Sequence, residues 1–274
     1  MEILNEYSDI LDHARNILEQ KDLVYGEIRY TKEVELQVIA RDSKIQEIKR
    51  SSDHGIGIRV QYQKGAPLTF SSTSDLSKES ISAIIDEAIS ASKVLAQSIK
   101  QESHLAFQEP LSEKIMEMAK NSLLETDLTF IKYFALAETA TIKEKGVSSA
   151  SCGLAGISRF KHVITTEGTD ISFLVGGTGY KADATIRQKG RFHTYGERKG
   201  GTYGFKDLIS ELERQETASD VGKTVMTMVE GKAVKTGTYD VIVDPIFSGL
   251  LAHESFGHMT EADSITTRES ALTD

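Results

Sequence analysis

Apolar residues near the start recur at helical intervals. Ile3, Leu4, Tyr7, Ile10, Leu11, Ala14, Ile17 and Leu18 form one stripe, which predicts an amphipathic helix docked on its own domain. Period-two segments follow, including Glu33-Val34-Glu35-Leu36-Gln37-Val38 and Ile56-Gly57-Ile58-Arg59-Val60, and this alternation predicts half-buried antiparallel strands. Ser77 then stands as an N-cap before Ile81, Ile84, Ile85, Ala88, Ile89, Leu95 and Ala96, a helical series ending near Lys100.

The polar stretch from Gln101 to Pro110 breaks the pattern and marks a domain boundary. The same grammar then restarts. Ile115, Met116, Ala119 and Leu123 predict a helix, Phe130 to Thr139 a strand, and Val163 to Phe173 a hairpin turning at Glu167-Gly168. Leu208, Ile209, Leu212, Val221, Val225 and Val229 predict one long helix over Phe205 to Glu230. Tyr239-Asp240-Val241-Ile242-Val243-Asp244-Pro245 has the form of a short buried strand stopped by proline. A helix follows it with Phe247, Leu250, Leu251, His253, Glu254 and His258. The expected architecture is α+β: two related units of antiparallel strands and long helices, residues 1–105 and 106–235, followed by a strand and a metal-site helix in 236–274. No residue-level repeat accompanies this duplication of pattern.

Composition narrows the function classes. Hydrophobic residues at 39% and charged residues at 27% are ordinary for a globular chain with a real core. The 41 acidic against 32 basic side chains, a net charge of -9, argue against nucleic acid and anionic membranes as partners. No apolar run approaches the roughly 18 residues of a membrane span, and the acidic start from Met1 to Glu19 is not a signal peptide. Cys152, the single cysteine, has no intramolecular partner and fits a reducing compartment, so a cytoplasmic location is expected.

The candidate chemistry lies in His253-Glu254-Ser255-Phe256-Gly257-His258. This is the HExxH zinc pattern with one extra residue. In a regular helix, imidazoles at i and i+5 diverge by roughly 140°, so two ligands of one ion require a local widening such as a π-type turn. Gly257 is expected to supply the backbone freedom for it. His253 and His258 are then the metal ligands, and Glu254 is the general base acting on water whose pKa the ion lowers to about 7. The same three residues could instead be a solvated or capping set on an amphipathic helix.

The wider context is Gly237 to Pro245, then Gly249-Leu250-Leu251-Ala252 ahead of the histidines, then Glu261-Ala262-Asp263. This stretch resembles the TldD/PmbA family, and within it the TldD-like metalloprotease branch, whose partner branch lacks the histidines. Weaker resemblance runs through Gly55 to Val60, the helix from Leu76, and Thr166 to Thr169. The resemblance implies an α+β subunit that pairs, as a homodimer or as a heterodimer with a PmbA-like subunit, around a chamber where small unfolded peptides are cut. It implies His253 and His258 as ligands of Zn2+, Glu254 as catalytic base, and Glu261 and Asp263 as the family's acidic pair. That pair is either a helix-end surface set or the hydrogen-bond partners of a ligating histidine. Family members complete the site with a cysteine in a C-terminal domain. Cys152 does not match it and is expected to be a buried or loop residue, so the third ligand is expected beyond residue 274. On that basis residues 236–274 are the start of a truncated catalytic region, and the piece alone is expected to bind zinc poorly and cleave little. The alternative is a non-catalytic partner or binding subunit of such an assembly.

Other motifs fail. Gly222-Lys223-Thr224 lacks the opening glycine of a phosphate loop, and Gly176-Gly177-Thr178-Gly179 predicts a bulge or bend within a strand. His13, His54, His104, His162 and His193 have no ligand spacing.

Overall fold

The computed structural model describes residues 7–97, 105–106, 108–115, 126–188 and 190–272. Within them a seven-stranded sheet runs in the order β3-β2-β1-β5-β6-β4, with β7 also paired to β6. Its strands are β1 (Tyr25–Arg41), β2 (Lys44–Gln61), β3 (Thr69–Thr73), β4 (Ser112–Ile115), β5 (Ser149–Thr165), β6 (Asp170–Gln188) and β7 (Arg191–Gly201). The helices packed on it are α1 (Ser8–Glu19), α2 (Lys78–Ala96), α3 (Leu128–Lys143), α4 (Phe205–Arg214) and α5 (Thr217–Met228). All neighbouring strands are antiparallel except β4 and β6, which are parallel.

Two hydrophobic clusters lie on one face of this sheet. Even-numbered residues of β1 feed both: Ile28 and Tyr30 enter one, Leu36, Val38 and Ala40 the other. Because side chains alternate along a strand, shared parity means a shared face. α1 and α2 cover the first cluster with Leu11, Ala14, Leu18, Ile81, Ile85 and Ala88. α3, α4 and α5 cover the second, against Ala150, Cys152 and Leu154 of β5 and Tyr180 to Ile186 of β6. The opposite, odd-numbered face carries Arg29, Thr31, Glu33, Glu35 and Gln37. The expected units 1–105 and 106–235 meet at the β1–β5 pairing, from Glu27↔Thr165 to Arg41↔Ser151, and so contribute to one sheet. Contacts group the chain into residues Met1–Gly231 and Lys232–Asp274.

Several elements match their patterns. Ser77 caps α2, its side chain accepting from the Ser80 N–H. The hairpin between β5 and β6 turns through Gly168, whose φ of 102° is open to glycine at little cost. For the first helix, the part carrying Ile3 and Leu4 lies outside the described residues. Ile115 belongs to β4, and the rest of the helix expected after it, with Met116, Ala119 and Leu123, lies outside them as well.

Others differ. Phe130 to Thr139 is helical, within α3, not a strand. Asp127 caps it by accepting from the Thr129 N–H at 2.8 Å, and Ile131, Ala135, Thr139 and Ile142 repeat every three or four residues on its buried face. Its aromatic and β-branched content imitates a strand, but the period is helical. The long helix expected over 205–230 is two, broken where Glu216 takes a left-handed conformation with φ 47°. Gly176 to Gly179 keeps unbroken register with β5, without a bulge. The strand expected at Tyr239–Pro245 does not form. A strand needs a neighbour to bond its backbone. None of the described residues pairs with this segment, and Val241 and Ile242 are 76% and 104% exposed.

Candidate metal centre

In the unit Lys232–Asp274, Asp244 starts the helix that carries the histidines: its carboxylate accepts from the Phe247 N–H at 2.7 Å, and Pro245 occupies the first turn, where its missing N–H costs nothing. α6 (Pro245–Ala252) passes into a π-helical turn, His253–Gly257, then a 3-10 turn, His258–Thr260. Glu261 leaves the helix with ψ 126°, and α7 (Ala262–Thr267) follows. Ser255 lies within the π turn, its hydroxyl donating back to the Leu251 carbonyl. Among the described residues of the chain, no helix is long and apolar enough to cross a membrane.

The π turn brings the two imidazoles to the same side. Their ring centroids are 4.5 Å apart with planes at 62°. One donor atom each from His253, Glu254 and His258 lies within 4.8 Å of the other two, and all three residues are exposed. Nε2 of His258 is 3.8 Å from Oε2 of Glu254, while Nδ1 of His258 is 2.9 Å from Oε1 of Glu261. In the tautomer that donates from Nδ1 to Glu261, Nε2 keeps its lone pair and the ring is held in orientation. Carboxylates commonly support metal-ligating histidines in this way.

The donor set suits zinc: two imidazoles, one anchored through its second nitrogen, beside a carboxylate that can act as a ligand or a base. Of the acidic pair, Glu261 makes the contact with His258, whereas Asp263 accepts from the Ser264 N–H at 2.9 Å. Gly257 does not have the role expected of it. Its φ of -54° and ψ of -56° are ordinary right-handed helix. A Cβ there would approach Nδ1 of His253 no closer than 3.5 Å. The widening comes from the hydrogen-bond pattern and not from a conformation reserved for glycine. Cys152 lies in the sheet core of the other unit, fully buried between its cross-strand neighbours Ala40 and Ala182, and burial pushes its thiol pKa far up. It is a packing residue, as its sequence context implied.

Residues 26–92 match domain 1 of the PmbA/TldA metallopeptidases. A metalloprotease of Methanocaldococcus jannaschii is 22% identical over 264 residues, spanning 96% of this chain and 57% of that protein. A metalloprotease of Methanothermobacter thermautotrophicus is 23% identical over 276 residues, or 99% of this chain and 57% of that protein. The chain thus spans little more than half the length of these curated relatives. Among solved structures, a proposed modulator of DNA gyrase from Bacteroides thetaiotaomicron superposes with a TM-score of 0.81 at 16% identity, covering 97% of this chain and 60% of the other. TldE from Thermococcus kodakarensis does so with a TM-score of 0.60 at 15% identity, covering 77% and 47%. At these identities the structures speak to the fold, and they share its mixed architecture of antiparallel sheet and helices. Sequence match, relatives and fold agree on the PmbA/TldD family: residues 26–92 match its first domain, and similarity to its metalloproteases runs along 96–99% of the chain.

Proposed function

We propose that the chain carries the histidine ligands of a zinc-dependent metallopeptidase of the TldD-like branch, acting on small unfolded peptides. The observation that supports this reading is the π turn that brings His253 and His258 to a common point beside Glu254. His253 and His258 hold the ion, and Glu261 orients His258. A zinc ion there supplies Lewis-acid polarisation of a peptide carbonyl and acidification of water at neutral pH. Glu254 takes the proton of the attacking water on its carboxylate and passes it to the departing amine nitrogen. Zinc sites commonly use three protein ligands, of which His253 and His258 supply two in this reading.

The same reading places the protein in the cytoplasm, as a homodimer or in a heterodimer with a PmbA-like subunit, enclosing a chamber that admits unfolded peptide. Its test is cleavage of an unstructured peptide by the complete gene product, followed by mass spectrometry, with zinc measured in the same samples. Glu254→Gln keeps the shape but not the basicity, so cleavage should vanish while zinc stays. Zinc-loaded protein that never cleaves would point to the non-catalytic binding subunit. Cleavage undiminished by Glu254→Gln would refute the role assigned to that residue.

A further inference from the structure

The odd-numbered face of β1 and β2 holds a groove of about 730 Å³, floored by these strands and walled by β3. Its two ends differ in charge. At one end Arg29 and Arg59 share a single carboxylate, that of Glu27, which is only 4% exposed. Burial raises the pKa of Glu27, but hydrogen bonds from Arg29 and Tyr25 and the two guanidinium charges outweigh it, and the net shift is downward. Two cations against one anion leave an excess positive charge. At the other end Glu33 and Asp53 stand directly opposite each other on neighbouring strands, a destabilising placement of like charges. Arg159 neutralises Glu33 from β5, and an excess negative charge remains.

Between the poles lie Thr31 and Gly55, opposite each other. At the positive end the Phe70 ring, on the residue paired with Arg59, lies over Gly57, where a Cβ would come within 2.7 Å of it, and the ring is nevertheless 63% exposed. A large aromatic surface laid across a glycine and left open to solvent offers contact area to a ligand. Arg29 to Glu33 spans four residues of β1 and Asp53 to Arg59 six of β2, or about 13 to 20 Å at the rise of a strand.

We propose that this groove binds short peptides with free ends, about four to six residues long when extended, with the terminal carboxylate at Arg29 and Arg59 and the terminal ammonium at Glu33 and Asp53. Peptides as the ligand class extend the metallopeptidase reading, but the groove lies within the unit Met1–Gly231 and needs no metal. A chelator in every sample therefore separates failure of the groove from failure of the metal centre.

The experiment is calorimetric titration of the 274-residue chain with an alanine pentapeptide, and with its N-acetylated and C-amidated forms. Blocking either end should weaken binding by about two- to fivefold, the loss of one exposed ion pair. In Asp53→Asn acetylation should no longer matter, and in Arg59→Gln amidation should no longer matter. Arg59 also compensates buried Glu27, so if that variant does not fold, Asp53→Asn decides alone. Undetectable binding of the free peptide, equal binding of the blocked forms, or an Asp53→Asn protein that still discriminates against acetylation would each overturn the proposal.

Discussion

The backbone N–H of His258 donates to the carbonyl oxygen of His253, closing a hydrogen bond over five residues instead of four. That bond aligns two imidazoles which an α-helix would hold roughly 140° apart. Single π turns of this kind recur at functional sites because they re-aim side chains without ending the helix.

The backbone at Gly257 is ordinary helix, so Gly257→Ala should leave zinc affinity nearly unchanged and favour the helix by up to about 1 kcal/mol. Zinc titration and thermal melts of the variant check this. Marked loss of zinc in the alanine variant would show that the glycine conformation is needed after all. A leucine at the same position should weaken binding by crowding His253.

Glu261→Gln replaces a charged acceptor of the His258 hydrogen bond by a neutral one, and should lower metal affinity by about 10- to 100-fold. Asp263→Asn should change it far less. Competition with a chromophoric chelator measures both. The reverse ranking would move the orienting role to Asp263.

Two carboxylates tie distant parts of the sheet unit and should make its stability fall in acid. Asp170 on β6 takes hydrogen bonds from His162 and from Arg15 of α1. Burial raises its pKa, but these bonds and charges bring it below the ordinary value of 3.8. Glu27 is likewise held below 4.5. A depressed folded pKa contributes stability that is fully present above the unfolded value and lost as pH falls through the folded one. The urea midpoint should therefore hold above about pH 5 and drop progressively below pH 4. Asp170→Asn should flatten part of that drop, and an identical acid profile would remove Asp170 from the account.

Leu154→Ala should cost about 2–5 kcal/mol, because Leu154 is fully buried between β5 and the helices above it. Ile242→Ala, at a side chain fully open to solvent, should fall within about 0.5 kcal/mol. Equilibrium urea unfolding of both variants gives the comparison. Equal losses would mean that the segment around Ile242 is packed in solution.

For α1 and α2 the spacing of buried positions is a sufficient guide. The stripe of α1, the capped start of α2 and the turn at Gly168 all follow from local chemistry. Over α3, Phe130, Tyr133 and the β-branched residues around them suggest a strand by composition, while the spacing of the buried residues is helical. The break at Glu216 carries no glycine or proline to announce it. At the metal centre, spacing alone required a widened turn between His253 and His258, but the hydrogen bond of His258 to Glu261 depends on how the chain leaves the helix. The polar groove was not legible, because β1, β2 and β3 assemble it through a register that no single strand reveals.

The central claim, that His253 and His258 hold one metal ion together, is tested most directly by titrating the 274-residue chain with zinc while following the histidine ring signals by NMR. With only two imidazole ligands and a nearby carboxylate, binding should be weak but saturable. The account predicts that both rings shift together on one binding curve, and that His258→Ala abolishes the response of His253. Zinc that shifts these rings independently, or that binds equally well to the His253→Ala, His258→Ala double variant, would contradict it.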